Sequence, residues 1–232
     1  KHFFNAGFQA MMILTQAIIK FLPIGVFGLI STAVATTGFE LFKGVAWYVV
    51  TIAVGLTLHA FVVLPIIFSL FTRINPIKHF RAIASAMATA FSTSSSGATL
   101  PVTMNCVETN AGVSNKISSF VLPLGATINM DGTALYECAG VLFIAQALGF
   151  DLSFTQQLII VLTAFLASVG AAAIPSAGLV MIFIGLDDGG FGKHPRGAMI
   201  VSTMVAVSRP LDIYCIVVNL PSDIIGSDHS AY

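Results

Sequence analysis

The chain reads as an all-α integral membrane protein, a multi-span helical bundle carrying two re-entrant helical hairpins in an inverted repeat. Three observations predict this. Only 9% of the residues are charged against 56% hydrophobic, with a mean hydropathy of +0.94, whereas soluble domains carry roughly 25% charge. The apolar runs are of helical length, roughly 20 residues per crossing, which argues for helices and against a barrel. Two of the runs are interrupted midway by small and polar residues at matching places, the mark of paired repeats.

Composition also excludes. Net charge is zero and no basic block occurs, so no nucleic-acid partner is expected. Cys106, Cys138 and Cys215 are far apart, without metal-ligand or CxxC spacing, and are expected to be free thiols. No nucleophile–base or metal-ligand set points to an enzyme or a resident cofactor. The chain opens at Lys1-His2-Phe3-Phe4 without an initiator Met or a signal peptide, and is expected to be the later part of a longer protein.

Residues 1–72 are expected to form two transmembrane helices. The first apolar run, 8–38, holds Lys20 and Pro23; Lys20 is placed to snorkel. The second, 44–72, has no Asp, Glu, Lys or Arg but contains His59 and Pro65. His59 reads either as a helix-to-helix hydrogen bond or as a proton relay. Arg73, Lys78 and Arg81 then cluster around Asn75-Pro76, which the positive-inside rule places in the cytoplasm.

Residues 73–232 read as one core. In the run 82–106, two apolar arms flank Ser92-Thr93-Ser94-Ser95-Ser96-Gly97-Ala98-Thr99, and each arm is too short to span alone. This predicts a re-entrant hairpin over about 77–111. A polar turn, 108–116, leads into a broken helix over about 115–150, whose middle reads Asn129-Met130-Asp131-Gly132-Thr133. A second hairpin is expected over about 152–187, with a tip of small residues and Pro from Ser168 to Gly178. The last helix, about 195–225, carries Ser208, Asp212, Cys215, Asn219 and Asp223, at offsets that fall on one helical face.

The centre of this arrangement is the 129–133 stretch. An Asp at the middle of a membrane helix costs about 2.5–3.5 kcal/mol on insertion scales, so it should face a cavity, a partner or an ion. Gly132 is expected to weaken the helix at the carboxylate, and an unwound helix frees carbonyls that ligate a cation. The plainer reading is a Gly kink with Asp131 hydrogen-bonded to a neighbouring helix. Hairpin tips offer helix N-termini to a substrate carboxylate. The carbonyls and carboxylates offer hard oxygens to sodium, and Asp212 offers an anion to an ammonium group. Amino-acid and cation symport follows from these parts.

The residues also resemble a known family, the dicarboxylate/amino-acid:cation symporters that include the glutamate/aspartate and neutral amino-acid transporters. Ser94-Ser95-Ser96-Gly97-Ala98-Thr99-Leu100-Pro101 is similar to its first hairpin tip, Asn129-Met130-Asp131-Gly132-Thr133 to its signature, and residues 170–178 to its second tip. The resemblance covers nearly the whole chain. It implies a multi-pass plasma-membrane protein, a homotrimer in the lipid bilayer, and an elevator-like movement of the core, with the family's first four helices not represented here.

Position by position, the resemblance implies that Ser96 and main chain near Ile174 and Gly178 bind the substrate carboxylate. Asp212 takes the amino group and Asn219 adds a polar contact. Carbonyls of Gly125, Asn129 and Asn219 with the Asp223 carboxylate form one sodium site. Main-chain oxygens of Thr127, Met130, Ser168 and Val169 form another, and Asp131 with the Asn129 side chain serves a third. Cys215 stands where acid-preferring members place an Arg, which favours small neutral amino acids. Thr133 and the proton-coupling candidate Glu137 match members that take acidic substrates.

Other positions depart from the family pattern. Ser208 replaces an Asp, Arg209-Pro210 follow it, Ile216 replaces a Thr, and Pro221-Ser222 precede Asp223 where a Gly is usual. Pro221 is expected to kink the helix near Asp223, and Arg209, three residues before Asp212, to pair with it. A channel-like or non-transporting protein of the same fold is the alternative reading.

Overall fold

The structure is a computed structural model that describes residues 40–72, 74–170 and 195–229 and part of 6–35. From residue 40 onward the described residues form helices joined by short turns, with no strand among them. Helix α1, Glu40–Leu58, continues through a π-helical turn, His59–Val63, into α2, Leu64–Thr72. Pro65 lacks an N–H and would crowd the carbonyl of Phe61 in a regular helix, and the widened turn directly before it relieves that clash. The stretch Lys43–Thr72 is long and apolar enough to cross a membrane.

Asn75 caps α3, Pro76–Ala82, by accepting from the Ile77 N–H at 2.9 Å, with Pro76 at the first helical position. Helices α4, Ala84–Thr93, and α5, Ser96–Cys106, are antiparallel arms of one hairpin. Their far ends meet where Ser85 Oγ lies 3.0 Å from Cys106 Sγ. A second π turn, Val107–Ala111, stops at Gly112, whose φ of 80° is the left-handed conformation that glycine admits.

The run 115–150 is two helices, α6, Asn115–Ile128, and α7, Asp131–Ala147. Helix α8, Phe154–Val169, starts at a capping box of Ser153 and Gln156. Helix α9, Pro195–His229, continues through Pro210 and Pro221 as one 35-residue element, so Pro221 does not end the helix ahead of Asp223.

Two apolar cores share α9 as their common wall. Val45, Tyr48, Ile52 and Leu56 of α1 and Tyr136 and Ile144 of α7 meet Met204, Leu211, Cys215 and Val218 on one side. Ile83, Ala86 and Ala90 of the hairpin, with Leu122 of α6, meet Ile216, Leu220 and Ile224 on the other. The outer faces are apolar as well: Trp47 is 68% exposed, Leu70 74% and Phe154 80%. Large apolar groups outside and serines, an Asn and carboxylates inside suit a lipid surround.

The hairpin is tied to α6 at its base. The Glu108 carboxylate accepts from Ser118 Oγ at 2.5 Å and from Asn115 Nδ2 at 2.8 Å. Both donors, Ser118 first, hold it below its ordinary 4.5. A carboxylate lowered in the fold contributes stability above its unfolded value, and that contribution fades as pH falls through the lower, folded value. Glu108→Gln is therefore expected to melt slightly lower than the unsubstituted protein near neutrality and to converge with it as pH falls below about 4.5. A melting series in detergent reads this out, and a difference between the two proteins that is the same at neutral and acid pH would refute it.

Candidate functional site

Helix α6 ends at Ile128 and α7 starts at Asp131, so Asn129 (φ −99°, ψ 71°) and Met130 (φ −108°, ψ 59°) form the break. This corrects the expected role of Gly132, which lies inside α7 and does not unwind it. The residue serves close approach. A Cβ at Gly132 would sit 2.9 Å from both Asn219 Oδ1 and the Cys215 carbonyl, so only glycine lets α7 come this near to α9. Gly125 also permits close approach on the other side of the break, where a Cβ would lie 3.2 Å from Asp223 Oδ1 and that side chain would have to shift by a few tenths of an ångström.

The break and α9 build one buried polar cluster. Asn219 Oδ1 accepts from the Gly132 N–H at 2.7 Å, and Asn219 Nδ2 donates to Thr133 Oγ1 at 3.0 Å. Asn129 Nδ2 donates to Asp223 Oδ1 at 3.1 Å and to Ser222 Oγ at 2.9 Å. The single Ser222 hydroxyl proton is shared between Asp131 Oδ1 at 2.9 Å and the Asn219 carbonyl at 2.8 Å. Asp131 Oδ2 meets His59 Nε2 at 2.5 Å. Among the described residues neither Asp131 nor Asp223 pairs with a Lys or Arg.

The hairpin tip approaches this cluster. Ser94 turns the chain in the left-handed conformation (φ 52°, ψ 35°), and Ser95 caps α5 by accepting from the Ala98 N–H at 3.2 Å. Ser94, Ser95 and Ser96 are all buried. Ser96 and Asp223 line one cavity of about 10 Å³ together with Leu100, Thr103, Leu122, Ala126 and Leu220, room for about one water-sized occupant.

The remaining positions of the stripe are all buried: Ser208, Asp212 and Cys215 face inward with Asn219 and Asp223. Asp212 Oδ2 lies 3.3 Å from Arg209 Nη1, the pairing expected from their spacing. Glu137 is buried one turn beyond Thr133, and neither of its carboxylate oxygens has a hydrogen-bond partner among the described residues.

Met130 is buried in the break, whereas Thr127 is exposed and its hydroxyl turns back to Leu124 O at 3.0 Å. Ser168 is buried and Val169 ends α8, which packs on α7 and α6. Ile174 and Gly178, and with them residues 171–178 of the second hairpin tip, lie outside the described residues. Ser222 is the participant that the sequence reading missed, although its i+3 spacing from Asn219 was an available signal. The helix-to-helix hydrogen bond expected of His59 is present, and its partner, 72 residues away, left no local trace.

The chain has relatives among known proteins. A family model described as the sodium:dicarboxylate symporter family matches residues 1–229. The chain belongs to that family. It is 42% identical over 226 residues to excitatory amino acid transporter 3 of Mus musculus, covering 97% of this chain and 42% of that protein. It is 40% identical over 227 residues to neutral amino acid transporter B(0) of Rattus norvegicus, covering 97% and 40%. With excitatory amino acid transporter 1 of Homo sapiens the identity is 42% over 229 residues, covering 98% and 41%. The chain thus spans about two fifths of the length of these relatives. The family is one of membrane transporters and not of enzymes.

Proposed function

We propose that this chain is the substrate- and ion-binding core of a sodium-coupled amino-acid symporter, with small neutral amino acids (Ala, Ser, Thr or Cys-like) slightly favoured over acidic ones. The observation that carries the reading is the buried cluster at the helix break. Asp131 and Asp223 sit together there among Asn129, Asn219 and Ser222 and, among the described residues, are met by neutral donors and His59. Two carboxylates with hard oxygen neighbours and no Lys or Arg partner among the described residues leave negative charge that a small monovalent cation neutralises.

In this reading Asp223 with the carbonyls of Gly125, Asn129 and Asn219 holds one sodium, and Asp131 with Asn129 serves another. Main-chain oxygens of Thr127, Met130, Ser168 and Val169 take a further one. The Ser96 end of α5 presents free N–H groups to a substrate carboxylate, with Ile174 and Gly178 opposite, Asp212 for the ammonium, and Asn219, Thr133 and Cys215 around the side chain. Cys215 gives no two-point carboxylate recognition, which tilts the preference to neutral substrates. Glu137 is the proton-coupling candidate. The hairpin formed by α4 and α5 is re-entrant, paired with the segment from α8 as an inverted repeat, and the protein is a plasma-membrane homotrimer. Relatives named as excitatory and as neutral amino acid transporters support the substrate class.

Uptake of labelled alanine, serine, aspartate and glutamate into proteoliposomes holding the full-length protein tests this. An inward sodium gradient is expected to drive serine or alanine uptake, and Asp212→Asn to reduce it at least tenfold. Selective aspartate uptake would reverse the substrate preference. A sustained current without substrate flux would favour a channel, and no sodium-dependent uptake of any of the four would sink the symporter reading.

A further inference from the structure

The Arg209–Asp212 pair sits inside the polar stripe of α9. The Asp212 side chain is 8% exposed and that of Arg209 33%. A guanidinium stays charged under all relevant conditions, so Asp212 is already neutralised before any ligand arrives. The Nη1–Oδ2 contact is 3.3 Å, longer than the roughly 2.7–2.9 Å of a tight charge-assisted bond. Ile213 and Ile216 on the same turns add no further charge, and Cys215 is the next stripe residue. A partly exposed cation that meets a buried anion across a long contact is an arrangement in which a second cation competes for the anion.

From this we infer that Arg209 is a specificity-determining residue, an internal cation that competes with a substrate's ammonium group for the Asp212 carboxylate. The inference rests on the proposed role of Asp212 as the ammonium partner. Binding of an amino acid then exchanges one cation for another at Asp212 instead of neutralising a bare buried anion. Much of the attraction that an open carboxylate would offer is lost, and apparent affinity for zwitterions is lowered. A ligand of the same shape without an ammonium group leaves the pair intact and is indifferent to Arg209.

The test compares Arg209→Gln with the unsubstituted full-length protein in proteoliposomes. Serine uptake gives the KM for the zwitterion, and inhibition of that uptake by 3-hydroxypropanoate, which is serine without its amino group, gives the control. Arg209→Gln is expected to lower the serine KM by about tenfold and to shift inhibition by the des-amino acid less than twofold. Arg209→Lys keeps the charge on a different reach and is expected to stay within about threefold of the unsubstituted KM, which separates loss of competition from loss of folding. An unchanged or raised serine KM in Arg209→Gln overturns the inference, as does an equal shift for both ligands. Sodium-driven uptake by the unsubstituted protein reads the symporter proposal separately, so either can fail while the other stands.

Discussion

Gly132→Ala is expected to abolish sodium-driven uptake and to lower the protein's melting temperature. The added Cβ would stand 2.9 Å from Asn219 Oδ1 and 2.9 Å from the Cys215 carbonyl, with the Cys215 Cα at 3.4 Å. The Asn219 side chain can swing aside only by giving up its bond to the Gly132 N–H. The Cys215 carbonyl cannot swing at all, because it belongs to the backbone of α9 in the middle of a buried helix. Relief therefore requires α7 and α9 to separate, and overpacking of this kind costs about 1–3 kcal/mol. The same separation pulls Asn219 and Ser222 away from the break. Gly55→Ala is the comparison, since its Cβ would meet only the Leu135 side chain at 3.4 Å. Melting and uptake of both variants decide the matter: a Gly132→Ala protein that melts and transports like Gly55→Ala would show that the helices have slack that their geometry does not suggest.

Asn219→Leu is expected to be still more damaging to stability. The side chain keeps its volume but takes the donor from Thr133 Oγ1 and leaves the Gly132 N–H with its 3.0 Å bond to Asp131 Oδ1 alone among the described residues. A buried polar group left without a partner costs about 1–3 kcal/mol and a lost net hydrogen bond about 0.5–1.5 kcal/mol, which puts the variant at about 1.5–4.5 kcal/mol. Thr133→Val removes only the bond to Asn219 Nδ2 and is expected to cost less. Denaturation of the two proteins in the same detergent gives the comparison. A Thr133→Val protein as unstable as Asn219→Leu would mean that the bond across the helix break to Gly132 contributes nothing.

Much of this molecule was legible in the sequence, for identifiable reasons. Composition and the length of apolar runs fixed the helical membrane class, because solvation in lipid leaves few alternatives for the backbone. The stripe from Ser208 to Asp223 was readable because helical spacing puts those residues on one face, and all five are buried. The Arg209–Asp212 contact followed from i, i+3 spacing in the same way. The turn at Ser94-Ser95 was readable as a run of hydroxyls between two apolar arms, each too short to continue. Where the reading went astray, at Gly132, the local rule that glycine weakens helices was applied to a residue whose absent side chain matters to another helix.

What the sequence by itself determined, then, is the helical class, the positions where the helices are interrupted, and the polar face of the last helix. All of these depend on local propensity, spacing and the solvent. Only the tertiary structure decided that His59 meets Asp131, that Ser222 bridges Asp131 and Asn129, that Ser96 shares a cavity with Asp223, and that Gly132 and Gly125 serve as points of close approach. Each of those depends on which residues of distant helices come within about 3 Å of one another. Helical periodicity says which face a residue occupies, but the partner across that face is set by how whole helices pack.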